Sequence, residues 1–444
     1  MTDTSTPRAD DRGKGKLVVL MVTAFLDMVG ILMVHPLMPF YAKDMHETGV
    51  MSRVLSAIGM GGEGAVVSLL VATFAVVQLI SAPYWGRVSD RFGRRPAMMI
   101  GLGGSAMAYL VFAYAPTLDW LFLSRIVQGA GGGTVGVIQA YVADSTKPED
   151  RAKALGWLSA ATNAGVALGP VIGGGAMHFL GKSGPGLAAA LMSTITMGFA
   201  YHYLTESHDH AAAKAAGKTV RTSGEAIWRV VSHSAEPSSR LIWIYAITMG
   251  SFQAMSTTLA LLLNWRFGVT AATIGFFFTY VGVISVITRA LILGKMVDRF
   301  GEARLSRLGM VLLSCGLGGM AIAPNIPLLA VAVALVPLGT AFTFPCVTGL
   351  LSRVVASHER GLYMGVQQTF GGIARVAGPL YFGWAYDHLG QRVPFLTAAV
   401  VVLLTILLGL DMESYGKPAT QAADTSAERE GRSGTDDDER ATVN

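Results

Sequence analysis

Two ionisable residues in apolar surroundings, Asp27 and Arg125, are of types that could take up and release a proton. Asp27 lies about ten residues into one long apolar stretch, and Arg125 lies about six residues into another. Apolar surroundings favour a protonated carboxyl group, whereas a neighbouring guanidinium favours the carboxylate. A movement that breaks and re-forms an Asp27–Arg125 pair would therefore take up and expel a proton, so the two residues predict a proton switch.

Other polar side chains interrupt apolar stretches, and we expect several of them to face a substrate cavity. For each one, the alternative interpretation is an interhelical hydrogen bond, which contributes about 0.6 kcal/mol on average. Arg375 lies mid-stretch and could bind an anionic or carbonyl-bearing group, whereas Arg289 lies near the end of its stretch and can reach water. The cavity candidates are His35, Gln78, Gln128, Gln139, Asn163, Gln253, Tyr280, Gln367 and Arg375.

The composition excludes most soluble classes of protein. Hydrophobic residues make up 52% of the 444 residues and charged residues 14%, whereas a soluble domain is about 25% charged. This excludes a soluble enzyme, a nucleic-acid-binding protein and a disordered scaffold. Cys315 and Cys346 are the only cysteines, so neither a disulfide framework nor a cysteine-rich metal site can form. No metal or cofactor is expected.

The apolar residues group into twelve runs of the length that a membrane helix needs, about 20 residues. The runs are continuously apolar and do not alternate with period two, which predicts helices and not a barrel. The first run is longer than a signal-peptide core, so we interpret it as a retained helix. Spans 1 to 12 are predicted at 17–41, 65–85, 96–115, 119–144, 152–177, 185–204, 241–264, 273–293, 305–323, 326–351, 360–386 and 393–411.

The basic residues predict the orientation of these spans. With the N-terminus in the cytoplasm, 26 of the 34 Lys and Arg residues fall in cytoplasmic segments, five in outer loops and three within spans. This asymmetry follows the positive-inside rule, so both termini are predicted to be cytoplasmic. The net charge of +5 is then a consequence of topology, and no nucleic-acid partner is expected.

A long polar interruption after the sixth span divides the chain into two halves. His208, Asp209 and His210 lie in it without further potential ligands, so we expect a solvated linker and not a metal site. The end of the chain is rich in Ser, Thr, Asp and Glu, which predicts disorder. The predicted parts are a cytoplasmic tail 1–16, a six-helix bundle 17–204, a cytoplasmic linker 205–240, a second six-helix bundle 241–413 and a disordered cytoplasmic tail 414–444.

The two halves contain a repeat. The segment 86–93 (GRVSDRFG) recurs at 294–301 (GKMVDRFG), an offset of 208, and a Gly-Pro pair at 169–170 recurs at 378–379, an offset of 209. Because six spans separate the copies, both halves enter the membrane in the same sense. They should be related by an axis along the membrane normal, with a substrate cavity between them near the midplane. This geometry predicts transport by alternating access.

The loop between spans 2 and 3 resembles the signature motif of the major facilitator superfamily. Its glycines allow a tight turn, and Asp90 could accept hydrogen bonds from helix N-termini or pair with arginines across the halves. We interpret the loop as a gate, and a topology signal alone is the alternative. The motif residues are Gly86, Asp90, Arg91, Gly93, Arg94 and Arg95; a degraded second copy keeps Gly294, Asp298, Arg299 and Gly301 but has Glu302 and Ala303 where Arg94 and Arg95 stand.

Span 5 resembles the antiporter motif of the drug:proton exporters in that superfamily. Small residues at this spacing allow close helix packing, and the proline kinks the helix. An ordinary Gly-rich packing face is the alternative. The motif residues are Gly165, Gly169, Pro170, Gly173 and Gly174.

Spans 1 and 4 resemble tetracycline-type members of the twelve-span drug:proton antiporter family. Span 1 contains LDMVG at 26–30 and HPLMP at 35–39, and span 4 contains RIVQGAG at 125–131, similar to the Arg-x-x-Gln-Gly motif proposed for proton coupling. At a rise of about 1.5 Å per residue, Asp27 and Arg125 differ in depth by roughly 6 Å within a core of about 30 Å. A long arginine side chain can bridge that difference.

The resemblance implies a proton-coupled exporter of drug-like or amphiphilic small molecules, a monomer in the inner membrane of a bacterium, driven by the proton gradient. The spans contain few acids, so a dicationic drug is not an obvious substrate. A nutrient or metabolite symporter or facilitator is the alternative, and the antiporter motif argues against it. A membrane enzyme or receptor is disfavoured, because no cluster of His, Asp or Glu shares one depth and no large loop is present.

Overall fold

The computed structural model describes residues 9–45, 49–132, 134–146, 151–204, 223–271, 273–356 and 359–416. These residues form helices at every predicted span and contain no strand, which confirms the all-α fold class. In chain order the α-helices are Ala9–Val34, Met38–Met45, Gly49–Ala57, Glu63–Phe92, Arg94–Ala113, Leu118–Gly131, Thr134–Ser145, Arg151–Leu180, Gly184–Tyr203, Ser223–Ser232, Pro237–Phe267, Ile274–Ile287, Leu293–Ile322, Ile326–Val354, Arg360–His388 and Val393–Leu408.

Seven of the described helical stretches are long and apolar enough by themselves to cross a membrane. The longest, Ile274–Ile322, contains both span 8 and span 9. Spans 5, 6 and 11 are helices of 30, 20 and 29 residues, and span 12 is an apolar helix of 16 residues.

Breaks in the helices follow from local chemistry. Span 1 is interrupted by a 3₁₀ turn at His35–Leu37, where Pro36 lacks the amide hydrogen that an α-helix would use. The turn between spans 2 and 3 has Gly93 at φ +102° and ψ 157°, and the turn between spans 8 and 9 has Gly301 at φ +76° and ψ 159°. Only glycine adopts these angles without strain. The sequence repeat is therefore also a repeat of backbone conformation.

Two helices lie where the sequence predicted none. Gly49–Ala57 lies between spans 1 and 2, and Ser223–Ser232 lies in the segment predicted to be a solvated linker. Ala226 and Val230, one helical turn apart, are buried in the latter helix, which packs against span 11. A short amphipathic helix of this kind is not distinguishable in the sequence from a polar linker. The predicted linker residues His208, Asp209 and His210 and the tail beyond 416 lie outside the described residues.

The halves meet mainly where span 2 packs on span 11 and span 5 packs on span 8. We call the end of the bundle with the loops between spans 2–3, 4–5, 8–9 and 10–11 the basic end, and the other the opposite end. One hydrophobic core runs through the C-terminal half and the opposite-end part of the N-terminal half. The basic-end part of the N-terminal half has a separate core, built around Leu20, Met98 and Tyr141. The halves are thus joined at the opposite end.

Candidate transport site

A cavity lies between the two halves. Its largest compartment, about 760 Å³, extends from Gln78 and Arg375 to Gly86 and Arg94 at the basic end. A smaller compartment of about 330 Å³ shares Gln78 and Arg375 with it and continues toward the opposite end. A third compartment, about 720 Å³, shares Gln139 with the largest one. Together they form a space between the halves that is deep enough to hold a small molecule.

Five of the nine cavity candidates line this space: His35, Gln78, Gln139, Gln253 and Arg375. The His35 Nε2 and Gln253 Nε2 atoms are 3.4 Å apart and belong to opposite halves. The Gln78 Nε2 donates a hydrogen bond of 3.1 Å to the Gly132 carbonyl oxygen. These polar groups therefore lie on the walls of one space between the halves, and their role in binding a substrate stays a prediction.

Three other candidates are not among the residues that line these compartments. Gln128 and Gln367 are buried, and each bonds within its own half: the Gln128 Nε2 donates to the Tyr109 hydroxyl (2.8 Å), and the Gln367 Oε1 accepts from the Thr348 hydroxyl (3.2 Å). Tyr280 is 40% exposed and is absent from the cavity lining. Burial and hydrogen bonds within one half account for Gln128 and Gln367 in this conformation, and a cavity role for the three residues stays a prediction. The side chain of Asn163 lies outside the described residues.

Asp27 and Arg125 are both buried in the N-terminal half, each 4% exposed. Tyr109 interacts electrostatically with both of them and accepts the hydrogen bond from Gln128. The guanidinium of Arg125 lies over the Phe112 ring at 5.3 Å, and its Nε donates to the Ser124 hydroxyl at 3.3 Å. The two predicted switch residues therefore share the neighbour Tyr109.

Arg125 is incompletely satisfied. Its Nη2 is buried and has no hydrogen-bond partner among the described residues. A buried guanidinium nitrogen without a partner is unfavourable. Pairing of Asp27 with Arg125 stays a prediction.

His35 connects this buried cluster to the cavity. Its ring interacts electrostatically with Arg125 and also lines the smaller compartment, beside Gln253 of the other half. His35 therefore lies both near Arg125 and on the cavity wall.

The gate loop holds its own half together in this conformation. The Arg94 Nη1 is 2.6 Å from the Asp90 Oδ1, and the Arg94 Nε is 3.0 Å from the Asp144 Oδ2 at the end of span 4. The Arg95 Nη2 donates a hydrogen bond of 2.6 Å to the Tyr201 carbonyl oxygen of span 6. Asp90 itself is largely exposed. The described contacts of this loop thus lie within the N-terminal half, and pairing across the halves stays a prediction for another state.

The second copy of the loop has an inverted ion pair. Glu302, which stands where Arg94 stands in the first copy, is 3.0 Å from the Nη2 of Arg353 in span 10. Arg353 corresponds to Asp144 at the repeat offset of 209. Both copies therefore tie the start of one span to the end of the next, with opposite polarity. Gly294, Asp298 and Arg299 of the second copy are exposed.

The antiporter-motif residues face two neighbours. Side chains at Gly165, Gly169 and Gly173 would collide with the span 1 backbone or side chains at Phe25, Leu32 and Met33. On the other side of the helix, the Pro170 carbonyl oxygen would lie 2.9 Å from a methyl group on Gly275 of span 8, and the Gly174 Cα would lie 3.5 Å from it. The motif thus permits close packing both within its half and between the halves.

A contact between the halves that the sequence did not predict closes the opposite end. The Asp387 carboxylate of span 11 accepts hydrogen bonds from the backbone amides of Gly64 (2.9 Å) and Ala65 (2.7 Å) at the start of span 2. Beside it, a side chain at Gly383 would overlap the Gly64 carbonyl oxygen and Ser68. The sequence does show an acidic residue near the end of span 11. It could not show the partner of that residue, because the partner lies more than 300 residues away in the chain.

The apolar cavity wall was also missed. Phe252 and Phe344 line the smaller compartment with their ring centroids 6.5 Å apart, and Phe74, Met249, Leu259 and Phe278 also line it. In an apolar span, an aromatic residue that faces a cavity has the same sequence signal as one that faces lipid.

The chain is similar to known transporters. Residues 20–290 and 241–434 match the model of the family described as Major Facilitator Superfamily. The chain is 27% identical over 370 residues to the class B tetracycline resistance protein of Escherichia coli, covering 83% of this chain and 88% of that protein. It is 29% identical over 404 residues to multidrug resistance protein 2 of Bacillus subtilis, covering 89% and 94%.

Solved structures share the fold. The human organic anion transporter MFSD10 superposes with a TM-score of 0.68 at 24% identity, covering 89% of this chain and 99% of that one. The nucleoside transporter NupG superposes with a TM-score of 0.71 at 11% identity, covering 90% and 100%.

Proposed function

Because the chain belongs to the major facilitator superfamily, and is therefore an integral, multi-pass membrane transporter, we propose that it exports drug-like or amphiphilic small molecules in exchange for protons, by alternating access. Relatives named as tetracycline and multidrug resistance proteins support export of such compounds.

The placement of Asp27 carries this proposal. Its carboxylate is buried in the N-terminal half near Tyr109, while Met28 and Ile31 of the same helix line the cavity. A change in the protonation of Asp27 would alter the packing of span 1, and the same movement would reshape the cavity wall. An ionisable group inside a membrane protein is by default a functional candidate. Antiport needs this kind of link between proton and substrate.

The two ends of the cavity support alternating access. Span 2 and span 11 close the opposite end, whereas the largest compartment reaches the gate loop at the basic end. We propose that both termini and the basic end are cytoplasmic, so that this is the conformation in which an exporter takes up its substrate. We further propose two six-helix bundles, 17–204 and 241–413, and a monomer in a bacterial inner membrane.

Everted vesicles from a host without its own efflux pumps test this function. The vesicles carry the unmodified protein and an imposed pH gradient. Addition of drugs selected from a sensitivity panel should cause protons to leave the vesicle lumen. Asp27→Asn should abolish both this release and the dependence of export on the gradient, because the amide cannot titrate. Glu63→Gln, at a half-exposed carboxylate paired with Lys43, is the matched control and should behave like the unmodified protein.

If the Asp27→Asn variant still exports drugs in response to the pH gradient, Asp27 is not the coupling group. Drug and proton movement in the same direction would instead identify a symporter.

A further inference from the structure

The described lining of the cavity carries positive charge and no carboxylate. Arg94, Arg289 and Arg375 line its compartments, and no aspartate or glutamate occurs among their described lining residues. Arg94 is already paired with Asp90 and Asp144. Arg289 and Arg375, both in the C-terminal half, add positive charge to the wall of the smaller compartment.

Arg375 occupies the central position. It is the arginine that lines both the largest and the smaller compartment, at the point where they join. It has no ion pair or hydrogen bond with any described residue, and Tyr245 lies close enough to interact with it electrostatically. An arginine guanidinium binds carboxylate and similar anions through two parallel hydrogen bonds. In a site of low dielectric constant, this interaction is much stronger than in water.

The smaller compartment offers an apolar site beside Arg375. Phe74, Phe252, Phe278 and Phe344 contribute aromatic rings to a volume of about 330 Å³. A site of this kind accommodates a ring system of modest size, and the rings favour a planar aromatic body. His35 and Gln253 lie on the same wall and can bond a neutral polar substituent.

We propose that the transported molecule is an organic anion: an aromatic body in the smaller compartment carries one carboxylate or similar group bound by Arg375. The proposal rests on the proposed function in taking this cavity as the transport site. A cationic molecule would be repelled by Arg375, and no described lining carboxylate would bind it. For export from a cell with a negative interior, the membrane potential also favours outward movement of an anion.

Three probes with one skeleton test the charge preference: 4-(1-naphthyl)butanoate, its primary amide and 4-(1-naphthyl)butylammonium. Their dissociation constants are measured by equilibrium dialysis against the purified full-length protein, with protein-free micelles as the blank. The carboxylate should bind at least ten-fold tighter than the amide, and the ammonium compound should bind most weakly. Equal or tighter binding of the ammonium compound or the amide would overturn the proposal.

Variants of the protein then test whether Arg375 is the group that binds the carboxylate. Arg375→Gln should reduce carboxylate binding to within about three-fold of amide binding, and Arg375→Lys should retain a clear preference for the carboxylate. Arg392→Gln, at an exposed arginine of the opposite end outside the cavity lining, is the matched control. An unchanged preference in a folded Arg375→Gln protein would remove Arg375 from the site. If that variant does not fold, the three probes on the unmodified protein still decide the charge preference.

The result is separable from the proposed function. A preference for the carboxylate without proton release in everted vesicles would support the anion site and contradict antiport. Proton-coupled export of the ammonium probe would support antiport and overturn the anion site.

Discussion

At the opposite end of the bundle, Asp387 of one half accepts hydrogen bonds from the start of span 2 in the other half, whereas at the basic end Arg94 and Glu302 each pair within their own half. The hydrophobic core follows the same division: it is shared between the halves at the opposite end, and the N-terminal half has a separate core at the basic end. Contacts between the halves thus close the opposite end. At the basic end, which the cavity reaches, contacts within each half keep that bundle intact. Alternating access requires the contacts between the halves to break and reform while the contacts within each half persist.

The largest effect is expected at Gly383, where spans 2 and 11 touch. A leucine there would overlap the Gly64 carbonyl oxygen, and overpacking of this kind costs about 1–3 kcal/mol. Gly383→Leu should therefore shift the protein toward a state open at the opposite end. In a Cys315→Ser background, a reporter Ser256→Cys in the smaller compartment should react at least about ten-fold faster with an impermeant maleimide added from that end.

Gly198→Leu is the control for this substitution, because a side chain at Gly198 would meet open space. It should leave the labelling rate unchanged. If well-expressed Gly383→Leu also labelled at the original rate, spans 2 and 11 would not be what closes this end.

A smaller effect is expected when only the charge of the Asp387 contact is removed. Asp387→Asn keeps the shape of the side chain but weakens two hydrogen bonds to backbone amides, and hydrogen bonds to charged groups contribute about 1.5–3 kcal/mol. Part of this contribution remains with the amide, so the same reporter should label about three- to ten-fold faster. Asp44→Asn, whose carboxylate pairs with Lys182 of its own half, should not change the rate. Equal rates in both variants would show that Asp387 does not hold the two halves together at the opposite end.

At the basic end, Asp90→Asn should lower transport while leaving the stability of the protein almost unchanged. The Asp90 side chain is 62% exposed, and its partner Arg94 keeps Asp144; an exposed ion pair contributes about 0–1 kcal/mol. The melting temperature should therefore hardly change, while transport should fall about five-fold or more if Asp90 pairs across the halves when this end closes. Asp298→Asn in the degraded copy is the matched control and should have the weaker effect. Normal transport by well-expressed Asp90→Asn would reduce the loop to a topology signal.

The smallest effect is expected from Glu302 at the inverted ion pair. Burial raises the pKa of Glu302 above its ordinary value of 4.5, although Arg353 lowers it. Between that ordinary value and the raised one, the folded protein binds more protons than the unfolded chain, so stability falls as pH rises through this interval. Glu302→Gln should flatten this slope in a melting-temperature series, by about 2 °C or less. Glu225→Gln, at an exposed glutamate, is the control and should leave the dependence of the melting temperature on pH unchanged. If Glu302→Gln also leaves this dependence unchanged, another group causes it.

The helices could be predicted because each depends on its own residues. Long apolar runs must satisfy their backbone groups internally, so they become helices wherever they occur. The turns at Gly93 and Gly301 could be predicted on similar grounds, since only glycine takes their backbone angles without strain. The small helix Ser223–Ser232 could not, because its burial depends on span 11, which comes more than 100 residues later.

The sequence by itself determined which residues are chemically able to act: the buried Asp27, the arginines in the spans, the repeated loop and the small residues of span 5. The tertiary structure decided which of them meet. It turned Gln128 and Gln367 into their own bundles, brought His35 to Gln253 across the halves, and placed Asp387 on span 2. The physical reason is that hydrophobicity fixes how deep a residue lies, whereas its neighbours depend on helix rotation and packing, which are set by shape complementarity between segments far apart in the chain.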